Sequence, residues 1–312
     1  LNILVTGCAG YIGAQLIPHL LADGHNVRGI DTEWFGSGHL PESNDSFDFV
    51  RGDLRDQGLH KSLWKGLDVV LHLASVSNNA LCELNPVFHH ENNMIATLAC
   101  TEHAVKYKVP RFIFASSVAA YGTCEEATED TVLKPTTLYG YGKSSGEGFL
   151  KNRGSDMAWT VVRAATVSGP SAKMRFDTTL NKMTHDAVRH GVIKVNGGSQ
   201  KRSHVSLQDT CDFYRMLVNK DINGVFNLVE CNQTVLESAQ MVAEVTGAKV
   251  EVGPSTDNRS YTVSGMKVKE LGFEMKHGIK AAVHHLAARL KAGYWKNSES
   301  DVRLWNMRYD LI

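Results

Sequence analysis

Tyr139 and Lys143 stand four residues apart in Tyr139-Gly-Tyr-Gly-Lys143, a spacing that puts a phenol and an ammonium on one face of a helix. A tyrosine is a poor base at its ordinary pKa near 10, but a close cation favours the phenolate and lowers that value. Such a pair can take or give a proton at a carbinol. Ser117 belongs to Phe112-Ile-Phe-Ala-Ser-Ser-Val-Ala-Ala-Tyr-Gly122, at the carboxyl end of a predicted strand, where open α/β sheets place their ligands. Its hydroxyl could hold a substrate oxygen beside Tyr139. By composition the neighbouring Ser116 is an equal candidate.

A second constellation opens the chain. Thr6-Gly-Cys-Ala-Gly-Tyr-Ile-Gly13 sets glycines at 7, 10 and 13 between a strand and a helix. Gly7 permits the tight turn, Gly10 lets a pyrophosphate approach the backbone, Gly13 lets helix and strand pack closely, and the helix N-terminus faces the phosphates. With strand and helix both legible, the motif reads as a dinucleotide site. Asp31 ends the second strand, 18 residues past Gly13, where a carboxylate can accept hydrogen bonds from both hydroxyls of an adenosine ribose. Thr32 and Glu33 follow, with no arginine or lysine beside them to neutralise a 2′-phosphate, so NAD is expected over NADP. Asp53 and Leu54, after the third strand, fall where an adenine edge would lie.

The frame that must position these groups is an alternation of short apolar runs and helical periods. The runs lie at 3–5, 27–30, 68–73, 112–114 and 160–162, and the helical candidates at 11–23, 56–65, 92–107 and 139–152. This is the βαβ signature of a doubly wound parallel sheet. In 92–107, Met94, Leu98, Thr101 and Val105 share one face. After residue 165 the alternation gives way to a polar loop at 168–178, a helix at 179–190, a strand at 192–195 and a late strand at 225–229. The expected fold is therefore α/β: a Rossmann sheet over 1–165 that also takes in roughly 203–229, interleaved with a smaller mixed α/β substrate-binding region over 166–202 and 230–312. The helix after Tyr139 carries Gly140, Gly142, Gly146 and Gly148, each costing roughly 0.8–1 kcal/mol against alanine in a helix interior. Close approach of a cofactor or a partner subunit would explain them, and an irregular helix would do so as well.

Composition excludes several classes. The 312 residues are 43% hydrophobic and 21% charged, with 33 basic and 33 acidic side chains and zero net charge, which argues against binding nucleic acid or membrane surfaces through bulk charge. Six scattered cysteines without a CxxC pair read as reduced thiols in a cytosolic protein. No apolar run approaches the ~20 residues of a membrane span. The opening Leu1-Asn-Ile-Leu-Val-Thr-Gly7 reads as strand and turn, so no signal peptide and a cytoplasmic location are expected. No metal is expected: His89-His90 and His284-His285 are adjacent, and His185 and His190 are five apart, so none makes an i, i+4 helical pair.

TGxxGxxG, an acid after the second strand, Ser-Ser before Tyr-Gly, and YxxxK on the next helix together resemble the extended short-chain dehydrogenase/reductase family of NAD-dependent sugar-nucleotide epimerases and dehydratases. The resemblance runs nearly the whole length and includes Asn93 in Glu-Asn-Asn-Met-Ile-Ala-Thr-Leu, Val162-Arg163 with Gly169-Pro170, and Gly198-Ser-Gln-Lys-Arg-Ser-His-Val-Ser-Leu-Gln-Asp209. It implies that Tyr139 is the catalytic base, Lys143 holds the nicotinamide ribose, and Ser117 orients substrate. The resemblance further implies NAD held by Gly7, Gly10, Tyr11, Ile12, Gly13, Asp31, Asp53, Leu54, Ala74 and Asn93, together with Tyr139 and Lys143. Ser117, Thr166, Asn181, Arg202 and Arg259 fall where family members contact a nucleotide-diphosphate sugar; a guanidinium fork matches phosphate oxygens. Thr166 stands where relatives often have Asn and Ser168 where they have Tyr, and Ser171-Ala-Lys-Met-Arg-Phe-Asp177 resembles a less well-defined subgroup.

The 4,6-dehydratases of that family carry an Asp-Glu pair directly after the hydroxyl residue, where this chain has Val118-Ala119. A decarboxylase would need a glutamate there, and a 3,5-epimerase a cysteine nearby; Cys124 lies beyond the Tyr-Gly. What remains needs only Tyr, Lys, Ser and a held NAD, so a 4-epimerase is expected, working through a 4-keto sugar. The alternatives are a sugar-nucleotide reductase or dehydrogenase and a catalytically silent NAD-binding regulatory or scaffold protein. The resemblance also implies a homodimer through the helices near 92–107 and 139–152. The aromatic tail around Trp295, Trp305 and Tyr309 would cover a subunit surface or pack into the core.

Overall fold

The computed structural model describes residues 1–56, 58–59, 61–77, 79–153, 156–255 and 260–306. Seven strands form the main sheet: β1 (Asn2–Thr6), β2 (Asn26–Asp31), β3 (Phe47–Arg51), β4 (Val69–His72), β5 (Arg111–Ser117), β6 (Ala158–Ala164) and β7 (Gly224–Leu228). Every pairing is parallel and the order is β3-β2-β1-β4-β5-β6-β7. The order reverses between β1 and β4, the switch point where doubly wound sheets open a crevice beyond the strand ends.

Alternation along the strands divides the core between the two faces of the sheet. Ile3, Val5, Val69, Leu71 and Ile113 join one apolar cluster, while Leu4, Val70, Phe112 and Phe114 join the other, which is why these segments read as unbroken apolar runs. Helix α1 (Gly13–Ala22) buries Leu16, Ile17 and Leu20 on the first face, beside α4 (Leu207–Asn219). Helices α2 (Ala96–Lys106) and α3 (Leu138–Asn152) cover the second, burying Cys100, Ala104 and Leu150.

Two expected helices differ. Among the described residues of 56–65 the helical element is the 3-10 turn Lys61–Leu63, and ahead of it the Asp56 carboxylate accepts the Gly58 N–H at 2.7 Å, a local bond that competes with helix. Nor is 92–107 one helix: an α-turn at Pro86–His89 runs into a π-helical stretch, His90–Ile95, before α2 begins. The glycines of α3 answer to packing within the chain. A Cβ on Gly140 would lie 2.6 Å from the Ala119 carbonyl, on Gly142 2.8 Å from the His89 ring, and on Gly146 2.6 Å from the Phe114 ring; Gly148 meets nothing within 4 Å.

Beyond the main sheet, 201–206 pairs with 166–168 and 231–234, 192–196 pairs with 249–253, and 124–127 pairs with 261–263. Helices Thr179–His190, Val235–Thr246 and Ile279–Lys291 share a third apolar cluster. Trp295 and Trp305 pack against Phe176, at ring separations of 5.8 and 5.6 Å; Tyr309 lies outside the described residues. All six cysteines are free thiols. No helix among the described residues is long and apolar enough to cross a membrane.

Candidate active site

A cleft of about 470 Å³ opens at the carboxyl ends of β1, β2, β4 and β5. Its floor is the glycine turn. Gly7 has φ 68° and donates its N–H to the Ile30 carbonyl at 2.8 Å, and a Cβ there would sit 2.7 Å from the Ala74 backbone nitrogen. Only glycine combines that left-handed backbone with so close an approach. Helix α1 starts without a side-chain cap, so the N–H groups of Tyr11, Ile12 and Gly13 are left for an anion, while the Gly10 N–H closes the turn onto the Gly7 carbonyl at 3.0 Å; all four residues line the cleft.

Asp31, at the end of β2, also lines it, its carboxylate accepting from Ala9 N–H at 3.1 Å and Glu33 N–H at 2.9 Å. Burial pushes its pKa up despite those bonds. Thr32 and Glu33, which follow Asp31, bring no cation, but the fold brings in two. Lys173 lies within electrostatic reach of Asp31, and Arg51 pairs with Glu33 at 3.3 Å. Asp53, Leu54 and Ala74 line the same half of the cleft. Burial works against the Asp53 carboxylate, but hydrogen bonds from Arg55, one at 2.6 Å, hold its pKa below the usual value.

At the other end Ser117, Tyr139, Lys143 and Thr166 line the cleft together. Thr137 caps α3, accepting the Gly140 N–H at 3.1 Å, and so sets the rotation that aims Tyr139 inward. Burial raises the Tyr139 phenol to about 12; the Arg175 charge and a hydrogen bond with Ser117 pull the other way. Lys143 is buried, donates to the Ala115 carbonyl at 2.7 Å and lies 5.6 Å from the centre of the Tyr139 ring. Burial lowers its pKa to about 7. The lysine expected to act on the phenol is thus tied to the strand end, and Arg175 is the foremost charge drawing the phenol down.

Ser116 and Ser117 differ in their partners. Ser116 donates to Glu147 at 2.6 Å, inside a buried network in which Glu147 pairs with Arg163 at 2.7 Å and Arg163 donates to the Tyr121 hydroxyl at 2.7 Å. Ser117 caps the following 3-10 turn, accepting from Ala119 N–H at 3.2 Å, and lines the cleft with Tyr139.

Three expected ligand contacts are redirected. Asn93 lies in the π-helical stretch, buried, and is not among the residues lining the cleft. Its side chain accepts from Val76 N–H at 2.7 Å and donates to Val76 O at 2.9 Å, so it staples the loop after β4. Asn181 is also buried and does not itself line the cleft; behind the wall it accepts from Gly169 N–H at 2.9 Å and donates to Tyr11 Oη at 3.1 Å and Arg175 O at 2.9 Å. Arg202 is not among the residues lining the cleft; its guanidinium lies 5.4 Å from the centre of the Tyr261 ring, which is. Arg259 lies outside the described residues.

Lys173, Arg175, Asp177 and Asn306, none of them expected as site residues from the sequence, also line the cleft. Arg175 forms a forked pair with Asp177 and donates to Ser77 Oγ at 2.8 Å, joining the two lips of the cleft. The signal available was two cations in the loop 171–177. Away from the cleft, ligand atoms of His185, Asp186 and His190 come within 4.8 Å of one another. They have protein partners: His185 bonds Ser298 at 2.9 Å and Asp186 at 3.2 Å, and His190 pairs with Glu299 at 3.3 Å.

The family model described as the NAD dependent epimerase/dehydratase family matches residues 3–228. The UDP-glucose 4-epimerase of Mycolicibacterium smegmatis is 31% identical over 225 residues, covering 69% of this chain and 72% of that protein. Among solved structures, the Thermotoga maritima UDP-glucose 4-epimerase with UDP-glucose superposes with a TM-score of 0.84 at 26% identity, covering 94% of this chain and 99% of the other. The Bacillus cereus UDP-glucuronic acid 4-epimerase, in complex with UDP-glucuronic acid and NAD, gives a TM-score of 0.84 at 25% identity, covering 94% and 100%.

Proposed function

The chain belongs to the NAD-dependent epimerase/dehydratase family, and from that premise we propose that it is an NAD-dependent sugar-nucleotide epimerase that inverts C4 of a nucleotide-diphosphate sugar. The observation that carries this reading is the convergence of Ser117, Tyr139 and Lys143 at one end of a cleft whose other end is the glycine turn and Asp31. The residues suit the cofactor: the uncapped start of α1 would receive its phosphates, Asp31 the adenosine ribose, and Lys143 the nicotinamide end. When bound, NAD supplies a hydride acceptor that becomes the donor on return.

Ser117 holds the C4 oxygen. Tyr139, as phenolate, takes the hydroxyl proton while the C4–H bond breaks, and gives it back when the keto sugar has presented its other face. Burial keeps Tyr139 a neutral phenol even with the Arg175 charge beside it, so the phenolate depends on further positive charge, which Lys143 carries when protonated. The fork of Arg175 and Asp177, at the lip, faces the sugar nucleotide. Dehydration would require a proton donor directly after Ser117, where buried Val118 stands instead.

The test is incubation with UDP-, GDP-, dTDP- and CDP-sugars and added NAD, reading the anomeric and H4 signals by NMR. A new C4 stereoisomer without accumulation of NADH is expected. No new stereoisomer across the panel would overturn the epimerase, stoichiometric NADH would favour a dehydrogenase, and near-normal turnover in Tyr139→Phe would remove Tyr139 as base. Free thiols support a reducing, cytoplasmic setting.

The homodimer belongs to the same reading. Beside the exposed faces of α2 and α3, Ile95 is 42% and Tyr141 53% exposed, an apolar surface that suits a second copy. Sedimentation should give twice the chain mass, reduced to the chain mass by Tyr141→Asp.

A further inference from the structure

The loop 168–178 is laid across the glycine turn. Tyr11 Oη donates to the Gly169 carbonyl at 2.6 Å, and the Tyr11 carbonyl accepts from Ser171 Oγ at 2.9 Å. Two residues on, buried Lys173 reaches over the cofactor end of the cleft, its ammonium 4.5 Å from the centre of the Phe35 ring, in the loop that follows Asp31. All three ammonium hydrogens have oxygen acceptors: the carbonyls of Met174 at 3.3 Å and Arg303 at 2.8 Å, and the side-chain oxygen of Asn306. No hydrogen is left for a ligand. What Lys173 holds is the far end of the chain.

That end is built as a strap. Phe176 N–H donates to the Leu304 carbonyl at 2.7 Å. Trp305 packs on Phe176 and on His185, ring centres 5.6 and 5.1 Å apart, and donates to the Ser298 carbonyl at 2.6 Å. Asn306 then turns back with φ 50°, a left-handed conformation that asparagine tolerates better than most residues. The turn brings its side chain to Lys173, and Lys173, Asn306 and Phe35 all line the cleft.

We propose that Lys173 and Asn306 form a clasp that closes residues 171–176 and 302–306 over a dinucleotide bound in the cofactor half of the cleft, so that it leaves only when the clasp opens. The proposal rests on the reading of that half as the NAD site. Such retention suits a reaction that returns each hydride to the sugar it came from. Lys173 is here a positioning residue, acting through Asn306.

The experiment follows NADH release by fluorescence after mixing the loaded protein with excess NAD, for the unsubstituted chain, Lys173→Met, Asn306→Ala and the double variant. Release should be at least about ten-fold faster in each single variant and no faster in the double variant than in Lys173→Met, because removing Lys173 already removes its contact with Asn306. The melting temperature of the cofactor-free Asn306→Ala protein should stay within about one degree of the unsubstituted value, a check that its faster release is not general unfolding. Asn306 is only half-buried, so this variant keeps the test open should Lys173→Met fail to fold. Release within about two-fold of the unsubstituted rate in Asn306→Ala overturns the clasp. Faster release in Lys173→Met alone does so as well, by making Lys173 a direct cofactor contact. An unsubstituted chain that binds no NADH would instead sink the cofactor reading, and the clasp with it.

Discussion

The Lys143 ammonium donates to the Ala115 carbonyl at 2.7 Å, so the cation behind Tyr139 is anchored to the end of β5 rather than to the phenol. Burial lowers its pKa from 10.5 to about 7. Between those values the unfolded chain binds a proton that the folded chain does not, so stability rises with pH from about 7 to 10.5. Below that window the ammonium is charged in both states and its full burial cost is present. Lys143→Met is therefore expected to stabilise the protein by about 1–3 kcal/mol at pH 6 and by less at pH 9, while lowering turnover at least about 100-fold. Urea titrations at the two pH values and a turnover assay check it; a variant less stable at pH 6 than at pH 9 relative to wild type would contradict the sign.

Arg163 and Glu147 are 2% and 1% exposed and pair at 2.7 Å. Arg163→Met leaves a carboxylate buried with no guanidinium beside it, at an expected cost of roughly 3–5 kcal/mol. Pairing it with Glu147→Leu removes the stranded charge, so the double variant should be more stable than Arg163→Met alone. Denaturant midpoints decide between them.

Gly146 and Gly148 are two residues apart on α3 but should respond oppositely to alanine. A Cβ at 146 would lie 2.6 Å from the buried Phe114 ring, an overpacking that costs about 1–3 kcal/mol. Position 148 meets nothing within 4 Å, so Gly148→Ala should gain about 0.8–1 kcal/mol from helix propensity. Thermal unfolding of the two variants reads both signs.

His72 bridges Thr6 and Thr97 at 2.7 and 3.0 Å. Thr97 spends its own hydrogen on the Asn93 carbonyl, so Nε2 of His72 must be the protonated nitrogen and Nδ1 accepts from Thr6. Burial, then the charge of Lys143, lowers its pKa from 6.5 to about 3. In that window the unfolded chain binds the extra proton, and stability falls as pH falls from 6.5 toward 3. His72→Gln should cost about 1–3 kcal/mol at pH 7.5 and flatten the loss between pH 6.5 and 4.5. An unchanged acid slope would mean that other groups, such as His204 with its pKa lowered to about 4, dominate that limb.

Some of the site was legible from residue order because it depends on spacing within one element. Glycines at 7, 10 and 13 between a strand and a helix, Asp31 at a strand end, and Tyr139 with Lys143 one helical turn apart all line one cleft. The parallel sheet was legible for the same reason, since strands buried on both faces read as apolar runs. The helix expected at 56–65 meets a local competitor, the Asp56 side chain bonding the Gly58 N–H.

What folding alone decided is where each polar atom finds its partner. Ser116 and Ser117 are chemically identical neighbours, yet one donates to Glu147 and the other caps the turn that follows β5. Asn93 and Asn181 satisfy backbone groups and do not line the cleft. Lys173 meets Asn306 across 133 positions of sequence. Periodicity records which side of an element faces the core; a hydrogen bond is a distance in space between groups that can lie anywhere along the chain.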